Sequence, residues 1–150
     1  MRMGTNAPEV WLFFCNNFCT LNYLPTDIPM KSILVVDDED AQRKVIIAAL
    51  KAKGYETFEA SDGLMGLELA RLHKPHLIIS DVYMDNMNGF VMVETLKGEE
   101  ETAVIPVLMM TSAAQSIGAW DTSLADDYID KGFSIQALMQ KVEKLLKKGR

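Results

Sequence analysis

Short apolar runs recur along this chain, and nearly every one breaks off at a polar or charged residue. The stretch "ILVVDDED", Ile33 to Asp40, sends four apolar residues straight into four acidic ones. Leu77 to Ser80 is apolar until its end and is followed by Asp81; Val104 to Met110, with Pro106 near its start, is followed by Thr111; Tyr128 to Asp130 is followed by Lys131. With Tyr55 to Ala60 these make five predicted strands, short and rich in β-branched residues. Helical patterns separate most of them. One is capped by Asp40 or its neighbour, with apolar positions at Val45, Ile46, Ala49 and Leu50 and Gly54 beyond its end. "SDGLMGLELARLHKP" is a second, stopped by Pro75, and Phe90 to Lys97 a third, led by Asn88 and Gly89. A last helix is capped by Ser134 and carries Ile135, Leu138, Val142 and Leu145 on one face.

Strands and helices that alternate with such short connections demand a parallel sheet covered on both faces. The predicted fold class is α/β, a flavodoxin-like, doubly wound, five-stranded parallel sheet of order 2-1-3-4-5. Its ligand crevice lies at the carboxyl ends of strands one and three, where the winding reverses. Asp37, Asp38, Asp81, Thr111 and Lys131 all fall at that edge.

Three carboxylates crowded together repel one another unless something positive sits among them. Asp37, Asp38 and Asp81 make a hard-oxygen site suited to Mg2+, which takes octahedral oxygen ligation and uses one or two protein carboxylates. The Lys131 ammonium is the second positive group. A carboxylate beside a magnesium ion, a lysine and a hydroxyl suits phosphoryl transfer through an aspartyl phosphate. Thr111 would hydrogen-bond the new phosphoryl oxygens, a local change able to bias a two-state element.

The motifs "ILVVDDE", "LIISDVYMDNMNGF", "IPVLMMTS" and "ADDYIDKGF", in this order, resemble the receiver domain of two-component response regulators, from about Lys31 onward. The resemblance implies a single-domain, chemotaxis-regulator-like switch protein rather than an enzyme acting on other molecules. It implies Asp81 as phosphoacceptor, Asp38 as direct magnesium ligand, Asp37 acting through water, and the backbone carbonyl of Tyr83 as a further ligand. Thr111 matches the switch hydroxyl, Lys131 the phosphate-binding lysine, and Tyr128 the aromatic that swings inward. The phosphodonor would be a histidine kinase or phosphotransfer protein. The output would be a protein target, bound through the face made by helix four, strand five and helix five. Tyr83 and Ala113 flank the site without an acid or amide to orient water, which implies a slowly decaying phosphoryl state.

Three positions depart from the family pattern. Gly132 stands where proline usually follows the lysine, and Asp85 where proline usually follows the phosphoacceptor loop's start. The stretch between Thr111 and Tyr128 is slightly short and lacks a clean helical stripe, so the fourth helix is expected to be short or irregular. These departures motivate an alternative, a phosphorylation-independent protein-binding module. A third reading, a metal-dependent phosphatase with a nucleophilic aspartate, would want an acid two residues after Asp81, where Tyr83 stands.

Composition narrows the partners. The chain has 150 residues, 49% hydrophobic, with a formal net charge of -6, which disfavours nucleic acid as direct partner. Cys15 and Cys19 are the only cysteines, which disfavours a disulfide framework and points to the cytoplasm. They make a poor metal site by themselves. Residues 1–29 read as a leader, either a disordered or non-native extension or a segment that docks a partner through "VWLFFCNNFCTLNYL", which is too interrupted to span a membrane. Residues 30–150 read as the receiver domain, with no output domain after the last helix. His73 and His76 are expected to have no functional role, and Met84, Met87, Met109 and Met110 to pack.

Overall fold

A computed structural model of the protein describes residues 30–112 and 124–149. Five strands, β1 (Ser32–Val36), β2 (Glu56–Ala60), β3 (Leu77–Asp81), β4 (Val107–Thr111) and β5 (Asp127–Asp130), form one sheet. Every pairing is parallel and the order is β2-β1-β3-β4-β5, as predicted. The described helices are α1 (Asp40–Ala52), α2 (Gly63–His73), α3 (Gly89–Gly98) and α4 (Ile135–Lys148).

The continuous apolar runs follow from coverage on both sides. Successive strand residues point to opposite faces. Ile33, Val35, Leu77, Ile79, Leu108 and Met110 meet Ile46 and Leu50 of α1 and Leu138, Val142 and Leu145 of α4. Their neighbours Leu34, Val36, Ile78, Val107 and Met109 meet Leu67 and Ala70 of α2 and Met92, Val93 and Leu96 of α3. Both sets are almost wholly shielded from solvent, and the polar residues of β1, β3 and β4 are confined to the strand ends.

Helix starts follow side-chain capping. Asp62 accepts from Met65 N, Asn88 from Val91 N and Ser134 from Ala137 N. The helix after β1 has Asp40's neighbour Glu39 as its N-cap, in line with expectation, but Glu39 makes no side-chain cap bond. Asp40 pairs with Arg43 and Lys44. The corrections concern boundaries and faces. The fourth strand begins at Val107 rather than Val104, because residues 99–105 fold into turns and Pro106 has no N–H for the ladder. Val45 and Ile135, assigned to buried helix faces, are exposed. Asp81 and Asp127 are inside their strands, and Lys131 lies just past β5.

The two histidines have structural roles. His73 stacks on Phe58 with ring centroids 4.0 Å apart, and His76 Nδ1 accepts from Ser32 N at 3.0 Å. Met109 and Met110 are fully buried, and Met84 and Met87 pack against the α2–α3 side of the core. Expectations for residues 1–29, including Cys15 and Cys19, and for the helix between β4 and β5, lie outside the described residues.

One glycine is dictated by close approach. A Cβ on Gly89 would stand 2.2 Å from the Asp81 carbonyl oxygen and 2.8 Å from Met109 Cε. The first turn of α3 therefore sits directly against the end of β3. A Cβ on Gly98, at the far end of the same helix, meets nothing within 4 Å. Gly89→Ala is expected to lower unfolding stability by about 1–3 kcal/mol, as overpacking does. Gly98→Ala should be neutral or slightly stabilising. Urea midpoints of the two variants against wild type measure the contrast.

Candidate phosphoryl-transfer site

Asp37, Asp38 and Asp81 meet at the carboxyl ends of β1 and β3. One carboxylate oxygen from each lies within 4.8 Å of the others. Pairing of β1 with β3 brings them together: the ladder ends at Val36 and Ser80, and the acids follow immediately. Asp37 is fully buried, Asp81 nearly so, and Asp38 is exposed.

Lys131 reaches in from the end of β5, and its Nζ donates to Asp81 Oδ2 at 2.7 Å. The β5 strand is held in register beside β4, with Thr111 opposite Asp130, and Lys131 N donates to Thr111 O at 2.8 Å. The residue after Lys131 does not prevent this contact. Gly132 N donates to Asp130 Oδ1 at 3.2 Å and Phe133 N to Asp130 O at 2.9 Å, closing the turn. Among the described residues no peptide bond is cis. Asp127 and Asp130, structural partners that Lys131 could have taken, are engaged elsewhere: Asp127 by Lys141 and Asp130 by Gly132 N.

The electrostatics bear the marks of crowding. Burial, followed by repulsion from Asp81 and Asp38, outweighs a hydrogen bond from Glu39 N and pushes the Asp37 carboxyl up to about 6. Burial works against the Lys131 ammonium, but the hydrogen bond and charge of Asp81, with Asp37 and Asp38 behind it, raise its proton affinity above the ordinary value. Asp37 Oδ2 is buried and accepts no hydrogen bond. A buried carboxylate oxygen without a donor, aimed into a cluster of acids, fits a bound cation. The donor set is all oxygen, which suits Mg2+ rather than a softer metal.

Thr111 is almost fully buried, and its hydroxyl donates to Ser112 O at 3.1 Å. Tyr128 is half-buried and packs on the α2–α3 side of the core. Tyr83 is largely exposed beside Asp81, and Ala113 lies outside the described residues. A groove bounded by Glu39, Gln42, Val45, Phe133 and Ile135 opens next to Lys131.

Sequence reasoning missed one residue here. Arg43 of α1 is 8% exposed, and its Nη1 donates to the Asp37 backbone oxygen at 2.7 Å. An arginine six residues after Asp37 reads as an ordinary helix-surface cation. The signal available was its place one helical turn before Ile46, on the buried stripe.

The family model described as response regulator receiver domain matches residues 33–143. The chain belongs to that family. It is therefore a receiver domain of two-component signalling. Among curated relatives, the DNA-binding dual master transcriptional regulator RpaA of Synechocystis is 35% identical over 122 residues, covering 79% of this chain and 50% of that protein. The chain thus spans about half the length of that relative. The polar-differentiation response regulator DivK of Brucella anthropi is 36% identical over 84 residues, covering 56% of this chain and 68% of DivK. Among solved structures, the signal receiver domain of a histidine kinase from Syntrophus aciditrophicus superposes with a TM-score of 0.75 at 31% identity, over 79% of this receiver and 91% of that one. Among the described residues no helix is long and apolar enough to cross a membrane.

The raised Asp37 fixes a pH dependence for the metal-free receiver. Its folded-state value, about 6, exceeds the ordinary 3.8. Between those values the folded protein keeps a proton that the unfolded chain has released. The contribution of this group is therefore complete below about pH 4 and lost as pH rises through about 6, up to about 3 kcal/mol in all. In chelator, Asp37→Asn should remove this fall and leave the variant more stable than wild type at pH 7.5. Urea unfolding at several pH values measures it.

Proposed function

We propose that this receiver is a phosphoacceptor switch in which Asp81 takes a phosphoryl group, in a Mg2+-dependent step, from a phosphohistidine on a histidine kinase or phosphotransfer protein. The Lys131–Asp81 contact at 2.7 Å, beside two further carboxylates, carries the reading. An Asp81 carboxylate oxygen attacks phosphorus; the new O–P bond forms as the N–P bond of the donor breaks, and the histidine nitrogen leaves. Asp37, Asp38, Asp81 and the Tyr83 carbonyl are the groups that would hold magnesium, which supplies charge neutralisation on the phosphoryl oxygens. Lys131, already on Asp81 Oδ2, stays with those oxygens as the carboxylate becomes an acyl phosphate.

Thr111 then exchanges its bond to Ser112 O for a phosphoryl oxygen, and Tyr128 follows inward. The change is read by a protein target on a surface that includes β5 and α4. The donor approaches over the groove at Val45, Phe133 and Ile135, whose exposed apolar side chains open beside Lys131. The receiver spans residues 30–150 and works in the cytoplasm. The turn at Gly132 leaves Lys131 in contact with Asp81, which favours this reading over a phosphorylation-independent module.

Intact-mass spectrometry after incubation with acetyl phosphate tests the switch. A gain of one phosphoryl group is expected with magnesium, none with chelator and none in Asp81→Asn. A folded, magnesium-binding wild type that gains nothing would leave the binding-module reading in its place. The exposed tyrosine beside Asp81 screens the acyl phosphate from water, so Tyr83→Asn should lose its phosphoryl group faster than wild type when acetyl phosphate is removed.

A further inference from the structure

We infer that Arg43 is a positioning residue for the cation site: it sets the Asp37–Asp38 backbone from behind. The inference rests on the proposed reading of the three acids as a magnesium site. Both ladders of β1 end at Val36, opposite Ala60 of β2 and Ser80 of β3. Asp37 therefore stands just past the paired residues, and its backbone groups need partners. Its N–H donates to Ala60 O at 3.1 Å. Its carbonyl accepts from Arg43 Nη1 at 2.7 Å, in a buried contact. The peptide that joins the two acids is thus gripped at its carbonyl, and Asp37 is held on both sides.

Arg43 reaches further than one contact. Its Nε donates to Glu59 Oε2 of β2 at 3.2 Å, and its Nη2 to Asp40 Oδ1 of α1 at 2.5 Å. A single guanidinium thereby ties the end of β1, the first turn of α1 and β2 into one frame. Lysine cannot do this, since one ammonium on a flexible stem does not present three donors in a fixed fork. Neighbouring Lys44 carries the same charge but pairs with Asp40 at the surface and is well exposed. Groups that orient ligands without touching the metal typically change affinity by 10–100-fold when removed.

The positioning role and a plain charge effect predict opposite signs. A cation close to a cation site repels the incoming ion, so deleting its charge should tighten binding if charge alone mattered. If Arg43 positions the acids, deleting it should weaken binding. Mg2+ dissociation constants, measured by isothermal titration calorimetry on wild type, Arg43→Met, Arg43→Lys and Lys44→Met, separate the two. We expect Arg43→Met to weaken Mg2+ binding by about 10-fold or more. Arg43→Lys, which keeps the charge, should also weaken it. Lys44→Met should bind like wild type or slightly tighter.

Equal or tighter binding by Arg43→Met, or wild-type binding by Arg43→Lys, would overturn the inference. Circular dichroism at the titration temperature checks that each variant is folded. Should Arg43→Met fail to fold, Arg43→Lys decides alone. A wild type that binds no Mg2+ would instead refute the site reading itself, and the two failures are distinct.

Discussion

Three carboxylates are held within 4.8 Å of one another at the carboxyl edge of a parallel sheet. At that separation two unit charges repel by roughly 3 kcal/mol at an effective dielectric of about 20. The rest of the site answers this cost. Lys131 offsets Asp81 directly, Glu39 N serves one oxygen of Asp37, and Asp37 itself holds a proton more tightly than a free carboxyl. None of these serves the second oxygen of Asp37, which is buried with no donor. A bound cation would answer both the repulsion and the orphaned acceptor.

The sheet makes such crowding sustainable. Asp81 and Lys131 are 50 residues apart, yet their contact depends on two strand registers, β3 on β4 and β4 on β5. Those registers are fixed by apolar side chains that alternate between two covered faces, where a slip of one residue would exchange the faces. Gly89 adds a constraint at the other side of Asp81, since α3 packs against its carbonyl too closely for any side chain. Repulsion among the acids acts on a frame anchored by buried apolar surface, so it stays at the site rather than spreading the strands.

The same physics decides what was legible in the sequence. The acids and the lysine could be read because a parallel sheet places every strand end at one edge, so order along the chain becomes proximity in space. The strand order followed from short connections and a crevice at a reversal of winding. Val45 and Ile135 were misplaced because apolar identity does not say which side of the stripe is covered, and both border an open groove. The start of β4 was misplaced because Val104 looks like strand, although Pro106 ends the possibility of a continuous ladder there. Arg43 was missed for a deeper reason. Its pair with Asp40, three residues away, reads as an ordinary helix-surface ion pair, while its contacts to a backbone carbonyl and to Glu59, 16 residues away on β2, leave no mark in the spacing of charges.

The two cations at this site are not equivalent. Lys131 is partly exposed at the mouth and holds a side chain that the proposed reaction consumes; Arg43 is buried behind and holds a backbone that must not move. An ammonium suits the first task, because a rotatable point charge can stay with oxygens as they are rearranged. A guanidinium suits the second, because a fixed fork resists rearrangement. Asp37 couples the two sides: its carbonyl is gripped by Arg43 while its carboxylate lies among the acids that Lys131 faces. A proton on Asp37 and a cation on the cluster compete for the same negative charge, so each weakens the other's binding by the same factor. Below about pH 6 the proton gains ground. Under the proposed reading, the repulsion that makes the cluster costly to build is what a bound magnesium ion would relieve.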